Sequence, residues 1–181
     1  LWTGDLVSHR GRHYEVDRAR IFDVPESPPQ LMVAAAGKRT SRMAGKKGDG
    51  LISVTTDPKP METFDEAGGR NKPKYLKVGV CWDSDTEQMQ RLAREQWPIE
   101  AVPGRLMSEL RIPEDFESVT EPMSKDAPSR ALLCSADPAE HVKLIQEGID
   151  AGYDHICVHQ IGPRQAEFVR FYAEQVLPEF R

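Results

Sequence analysis

The sequence predicts an α/β protein in which parallel strands alternate with helices, and three stretches carry that reading. Strand-like runs at 31–36, 50–54, 75–82 and 155–160 are separated by helical segments, the order expected when each strand returns to one sheet through a helix. The run Lys74–Trp82, KYLKVGVCW, is apolar almost without interruption, as in a strand covered on both faces. Asp137-Pro138-Ala-Glu140 opens a helix, with an acidic N-cap, a proline at the first position and a glutamate three residues after the cap. Four such strands suit half of an eight-stranded barrel or a small open sheet, and periodicity does not choose between them.

Taken in order, the chain opens on Leu1-Trp2-Thr3-Gly4, which resembles the last turn of a helix stopped by glycine. We therefore expect further residues upstream of Leu1. Within Val7–Ile21, VSHRGRHYEV reads as a hairpin turning at Arg10-Gly11. Pro25, Pro28 and Pro29 then lead extended into Leu31. Gln30–Thr56 reads as strand, glycine turn, short helix, GDG turn and second strand. Asp49 is expected to shape its turn. Met61–Ala67 is a helical turn broken by Gly68-Gly69.

Asp85–Gln96 is a helix capped by Ser84 or Thr86, with Met89, Leu92 and Ala93 on its apolar side. Trp97-Pro98 ends it. Val102–Leu110 is a second helix candidate, Glu114–Val119 a helical turn, and Thr120–Pro128 a polar loop. After Leu132-Leu133-Cys134, the helix begun at Asp137 buries Val142, Ile145 and Ile149 and stops at Gly152. HICVHQ follows as the last strand, and a terminal helix, Arg164–Val176, buries Phe168, Phe171, Tyr172 and Val176. The segment at about 84–128 thus stands as a helical insertion in a single domain.

Composition narrows the classes. The chain has 181 residues, enough for one domain with a real core, and a net charge of −5, which offers no general affinity for nucleic acid. No apolar run approaches the ~20 residues of a membrane span, and no signal-peptide pattern is present. Cys81, Cys134 and Cys157 are odd in number and sit in apolar stretches, so we expect buried thiols of a cytoplasmic protein.

Two places have the residue types for binding. VAAAGKRT, residues 33–40, ends a strand in small residues and opens a helix with basic and hydroxyl side chains. A helix N-terminus of this kind suits a phosphate, because its free N–H groups and dipole favour negative charge; tight packing of an ordinary βαβ unit explains the same residues. On the last strand His155, Cys157 and His159 alternate onto one face, with Ile156 and Val158 toward the helices. His159, at the C-terminal end, is expected to face substrate or cofactor, and His155 to be a satisfied core histidine. Residues two apart on a strand lie ~6.5 Å apart, so one metal ion does not reach both histidines, and no metal is expected. His9 and His13, with Gly11 between them, are no better placed. Trp82 and Trp97 flank the first insertion helix, as core residues or at a pocket mouth.

The stretches LWTGDLVSHRGRHYEV, IFDVPESPP and VAAAGKRTSRMAGKKGDGLI resemble the bacterial luciferase-like superfamily. They are similar in particular to coenzyme F420-dependent oxidoreductases of the glucose-6-phosphate dehydrogenase type. FDEAGGRNKPKYLKVGVCWDSD, DPAEHVKLIQEGIDAGYDHICVHQIGP and VLPEFR support the same subgroup, in collinear order along the chain.

The resemblance implies a luciferase-like (β/α)8 TIM barrel, of which this chain is the C-terminal half, strands five to eight. The N-terminal half would be a partner. It would carry the aspartate, histidine and tryptophan near the deazaflavin and a glutamate for proton transfer, so no catalytic residue is assigned in this chain. The resemblance further implies that Ala36, Gly37, Arg39 and Thr40 contact the phosphate or tail of F420, with FMN as the alternative cofactor.

Members acting on glucose 6-phosphate place a threonine and a lysine after strand six. Counting from Gly48-Asp49-Gly50 puts Val54 and Asp57 there, with Lys59 behind Pro58. The family's lysine in the insertion falls near Met107, with Arg105 the nearest basic residue. Its arginine falls one residue out of register with Arg130. Val54, Asp57, Arg130 and His159 are therefore the substrate-pocket candidates. An aspartate in place of a phosphate-binding lysine repels a dianion, which points to an alcohol, aldehyde, ketone or lipid substrate. A homodimer is implied. An FMN-dependent monooxygenase and a non-catalytic, phosphate-binding homologue are the alternatives.

Overall fold

A computed structural model describes residues 1–181. The N-terminal hairpin forms as expected from β1 (Val7–Arg10) and β2 (Glu15–Ala19), a two-stranded antiparallel sheet of its own. Gly11 N–H donates to the Tyr14 carbonyl across the turn at 3.0 Å. The pairing slips between Val7 and His9, and Arg18, opposite the slip, takes φ 46°, as in a bulge.

The main sheet is parallel throughout. It contains β3 (Met32–Ala34), β4 (Gly50–Ser53), β5 (Lys74–Cys81), β6 (Leu133–Cys134) and β7 (His155–Gln160). β3 pairs with β4, β4 with the start of β5, and β7 runs along β5 from Tyr75 to Val80. Val80 pairs with Gln160 on one edge and Leu133 on the other, so β6 lies beyond the end of β4 on the same edge of β5. The principal order is β3-β4-β5-β7, with unpaired outer edges on β3 and β7.

Helices cover one face only. α1 (Lys38–Lys47) follows β3, and α2 (Pro58–Phe64) follows β4 and continues through a wider helical turn to Gly69. α7 (Pro138–Asp150) and α8 (Gln165–Phe171) flank β7, and α8 runs on through Val176 to a last turn ending at Phe180. One core cluster joins Ala35, Leu51 and Leu76 of the strand segments to Ala44, Met61 and Phe64 of the helical layer. A second joins Val80 to Ile145, Phe168, Phe171, Tyr172 and Val176. Fully burying one such side chain stabilises the fold by about 1.5–3 kcal/mol.

Polar groups close the N-terminal end of the sheet. Lys72 Nζ donates to the Gly45 and Gly48 carbonyls at 2.6 and 2.8 Å, satisfying the last turn of α1. Asp49 shapes its turn, as expected: its carboxylate accepts the Leu31 N–H at 2.8 Å. Asp154 does the same for Lys74 N–H at 2.9 Å.

The insertion departs most from the sequence reading. α3 (Thr86–Gln96) is capped by Asp85, whose carboxylate accepts the N–H groups of Glu87 and Gln88, rather than by Ser84 or Thr86. Of three adjacent candidates, the carboxylate supplies the acceptor with the strongest attraction to a helix N-terminus. The helix expected over Val102–Leu110 shrinks to α4 (Gly104–Met107), because Pro103-Gly104 starts it late. α5 (Pro113–Thr120) and α6 (Ala127–Ala131) follow, and α6 ends the expected loop at its last residues.

Three exposure expectations are also corrected. Ile149 lies at the edge of the α7 stripe and is exposed, its place in the buried row taken by His141 and Gly148. Cys157 is exposed, and His155 is exposed and stacked on Tyr75 at 4.2 Å, because both lie on the sheet face that no helix of this chain covers. No helix is long and apolar enough to cross a membrane.

Candidate functional site

The face of the sheet that no helix of this chain covers carries His159, one of the candidate residues. Strand register places Met32 and Ala34 beside Gly50 and Ile52, and Tyr75, Lys77 and Gly79 beside His155, Cys157 and His159. Ile156 and Val158 pack into the helical layer, so the alternation expected for the last strand holds.

The turn from β3 into α1 leaves its backbone donors open. Gly37 is the N-cap, with no side chain to satisfy the first turn, and no acidic residue lies in that turn. The first helical bond is Ser41 N–H to the Gly37 carbonyl, which leaves the N–H groups of Lys38, Arg39 and Thr40 without helical acceptors. A Cβ built on Gly37 meets nothing within 4 Å, so the approach to the backbone is open. Ala36, Gly37 and Arg39 are exposed and Thr40 half-buried. The four cofactor candidates thus lie within one turn, where free backbone donors stand beside residues bearing a hydroxyl and a guanidinium. The arrangement fits a phosphate-bearing cofactor tail.

A groove of about 370 Å³ runs from this turn toward α2, lined among others by Ala36, Lys38, Asp57 and Lys59. The structure therefore brings the cofactor candidate Ala36 and the pocket candidate Asp57 to one groove. Asp57 also acts locally, since its carboxylate accepts the Lys59 N–H at 3.1 Å and caps α2. The N-terminus of α2 is in this way already supplied with a negative charge.

The other candidates lie apart. Val54 is exposed at the end of β4. Arg130 is on the surface of α6, paired with Asp126 at 3.0 Å and donating to Ser124 at 3.1 Å. His159 is half-buried at the end of β7, with its ring edge-on to Trp97 at 4.9 Å between centroids.

Trp97 belongs to a cluster that sequence reasoning did not find. Its Nε1–H donates to Glu100 Oε2 at 2.9 Å, and Lys77 Nζ lies 3.8 Å from the same oxygen and 5.8 Å from the indole centre. Only the alternation of β5 signals that Lys77 leaves the apolar face. Gln160 is likewise given no role by its sequence context beyond ending the last strand. Its side-chain amide holds both main-chain groups of Trp82, accepting from N–H at 2.9 Å and donating to the carbonyl at 2.8 Å. Arg164 braces the same rim: it pairs with buried Asp83 at 3.3 Å and lies over the Trp82 ring. Trp82 itself is core, packed on Phe168 and Phe171.

Two buried sites have displaced titration. Cys81 and Cys134 are register partners on β5 and β6. The neighbouring Cys134 side chain and burial push the Cys81 thiol up, whereas the Cys81 side chain pulls Cys134 down against the opposing effect of burial. His141 is fully buried, with Nε2 3.0 Å from the Ser135 carbonyl and Nδ1 2.9 Å from the Tyr172 hydroxyl. The carbonyl only accepts, so Nε2 carries the hydrogen and the Tyr172 hydroxyl donates to Nδ1. Burial depresses the His141 pKa and raises that of Tyr172. This network lies in the helical layer and holds α7 to the chain after α8.

Comparison with known proteins gives a consistent picture. A family model described as luciferase-like monooxygenase matches residues 1–155. The chain is 29% identical over 193 residues to a protein of Nakamurella multipartita named F420-dependent glucose-6-phosphate dehydrogenase, covering all of this chain and 57% of that protein. It is also 29% identical over 195 residues to F420-dependent glucose-6-phosphate dehydrogenase 1 of Rhodococcus jostii, again covering 57%. The chain therefore spans somewhat more than half the length of these relatives.

Among solved structures, an F420-dependent secondary alcohol dehydrogenase in complex with an F420–acetone adduct superposes with a TM-score of 0.81 at 22% identity, over all of this chain and 58% of that one. The coenzyme F420-dependent tetrahydromethanopterin reductase of Methanopyrus kandleri superposes at 0.61 and 18% identity, over 99% and 60%. These two likenesses establish the fold, part of a luciferase-like (β/α)8 barrel.

Proposed function

The chain belongs to the luciferase-like monooxygenase family, and we propose that it is the C-terminal half of a barrel that works as a coenzyme F420-dependent oxidoreductase. The observation that carries the proposal is the open, glycine-capped start of α1, free of acidic residues, in a chain whose matched relatives are named F420-dependent dehydrogenases. When bound, the deazaflavin accepts or donates the hydride. The chain itself binds and orients. The N–H groups of Lys38, Arg39 and Thr40, the Thr40 hydroxyl and the Arg39 guanidinium hold the anionic tail. Ala36 and Gly37 let it approach the backbone. The rim at Trp82, fixed by Gln160 and Arg164, stands at the C-terminal strand ends, where barrel enzymes keep their active sites.

The substrate is an alcohol, aldehyde or ketone rather than glucose 6-phosphate. Two features support this: exposed, apolar Val54, and Asp57, whose carboxylate occupies the helix start where a phosphate would otherwise be attracted. The remaining pocket and the proton-transfer groups come from the N-terminal half, which would also pair the open edges of β3 and β7. The assembled enzyme is a cytoplasmic homodimer.

The test uses the full-length protein carrying this chain, mixed with F420 and a panel of secondary alcohols and ketones. Loss of the oxidised deazaflavin's absorbance with an alcohol, and its return with a ketone, is the expected result. Turnover with FMN and dioxygen but not with F420 would reassign the cofactor. Binding of neither would leave a non-catalytic homologue.

A further inference from the structure

The pairing of the sheet leaves an opening beside Lys77. β4 accompanies β5 only as far as Ser53 opposite Leu76, and β6 resumes at Leu133 opposite Val80. On that edge Lys77, Val78 and Gly79 face no strand. A cavity of about 260 Å³ occupies the gap, lined among others by Val54, Lys77, Gly79, Glu100, Leu133 and, from α7, Glu147, whose own charge is matched by Lys143 at 4.0 Å. It takes in the pocket candidate Val54, and its size suits a small organic molecule.

We propose that Lys77 and Glu100 form the charge-neutral specificity element of this cavity, selecting an uncharged hydroxyl or carbonyl substrate against carboxylates and phosphates. A lone lysine here would hold an anion as a point charge. Glu100 prevents that, because its carboxylate stands 3.8 Å from Nζ and meets any incoming anion as well. The pair is held in place. Trp97 donates its indole hydrogen to Glu100 at 2.9 Å and lays its ring against the Lys77 ammonium, and His159 packs edge-on against the indole. Side by side, an ammonium that only donates and a carboxylate that only accepts match a hydroxyl, which does both. Naming the occupant a substrate rests on the oxidoreductase reading above; the charge balance of the cavity does not.

The experiment has two arms, both on the full-length protein. The first titrates inorganic phosphate in the presence of excess F420, which occupies the start of α1, and follows tryptophan emission, to which Trp97 contributes from within the cluster. Wild type should give no saturable change in the millimolar range. Glu100→Gln should give one, at least tenfold tighter than any wild-type response. Adding Lys77→Met should abolish it, and Glu100→Asp, which keeps the charge, should behave as wild type. The second arm compares kcat/KM with F420 for a secondary alcohol and for the same skeleton bearing a carboxylate. Glu100→Gln should move that ratio at least tenfold toward the anion.

Unchanged phosphate affinity in folded Glu100→Gln, or wild type binding phosphate as tightly as the variant, overturns the proposal. If Glu100→Gln does not fold, Glu100→Ala, which removes the same charge from a half-exposed side chain and keeps the Trp97 reporter, should give the same response, and no response overturns it. A gain in phosphate binding without F420 turnover by wild type supports the charge-neutral pair and refutes the oxidoreductase reading.

Discussion

The two faces of the parallel sheet obey different rules. On the helix-covered face Leu51, Leu76 and Val80 are between 0 and 1% exposed, and each meets side chains from the helical layer. On the uncovered face β4, β5 and β7 carry Ile52, Tyr75, Lys77, His155, Cys157 and His159, and none of these is buried. The first face is a finished core supplied by local βα units. The second is a surface of polar, aromatic and aliphatic groups that no helix of this chain covers. Stability and function are thus written on alternate residues of the same strands, with a period of two.

The largest effect should come from truncating the covered face. Leu76→Ala removes a side chain central to one core cluster and is expected to cost about 2–5 kcal/mol. Ile52→Ala, on a neighbouring strand but the uncovered face, is expected to cost about 1 kcal/mol in this chain. Urea unfolding of both variants measures the contrast, and equal losses would mean that the uncovered face is packed too.

A smaller effect concerns pH. His141 is held neutral by burial, while in the unfolded chain it takes up a proton below its ordinary value of 6.5. The unfolded state therefore binds more protons in acid. The His141 contribution is complete above that value and is lost as pH falls through the lower folded pKa, at no more than about 1.4 kcal/mol per pH unit. Unfolding at a series of pH values between 7.5 and 5 should show this slope in wild type and a flatter one in His141→Gln.

The smallest perturbation is chemical. Iodoacetamide should modify exposed Cys157 first, half-buried Cys134 next and buried Cys81 only on unfolding. In the full-length protein Cys157 should become protected, because the proposed N-terminal half would cover the face that helices leave open. An unchanged rate there would sink that arrangement.

What was legible in the sequence follows the same division. The covered strands and α7 could be read because their signals are local: the uninterrupted KYLKVGVCW run, and Asp137-Pro138 at the start of a periodic helix. The strand-to-helix turn at Ala36–Thr40 was legible for the same reason, since its parts are contiguous. Asp85 was missed as a cap among three adjacent candidates. Pro103-Gly104 cut short a helix that apolar spacing alone allowed. The Lys77–Trp97–Glu100 cluster was not readable at all. It joins a strand to an insertion, and only the register of β5 and the turn after α3 bring its members together.

The central claim is that the start of α1 holds the cofactor's anionic tail. The measurement is the dissociation constant for F420, by fluorescence titration, of the full-length protein and its Arg39→Glu variant. Arg39 is exposed, so the unfolding midpoint serves as the control. Arg39→Glu should weaken F420 at least tenfold, an effect of about 1.4 kcal/mol or more, with the midpoint unchanged. Equal affinity of the two proteins would contradict the claim.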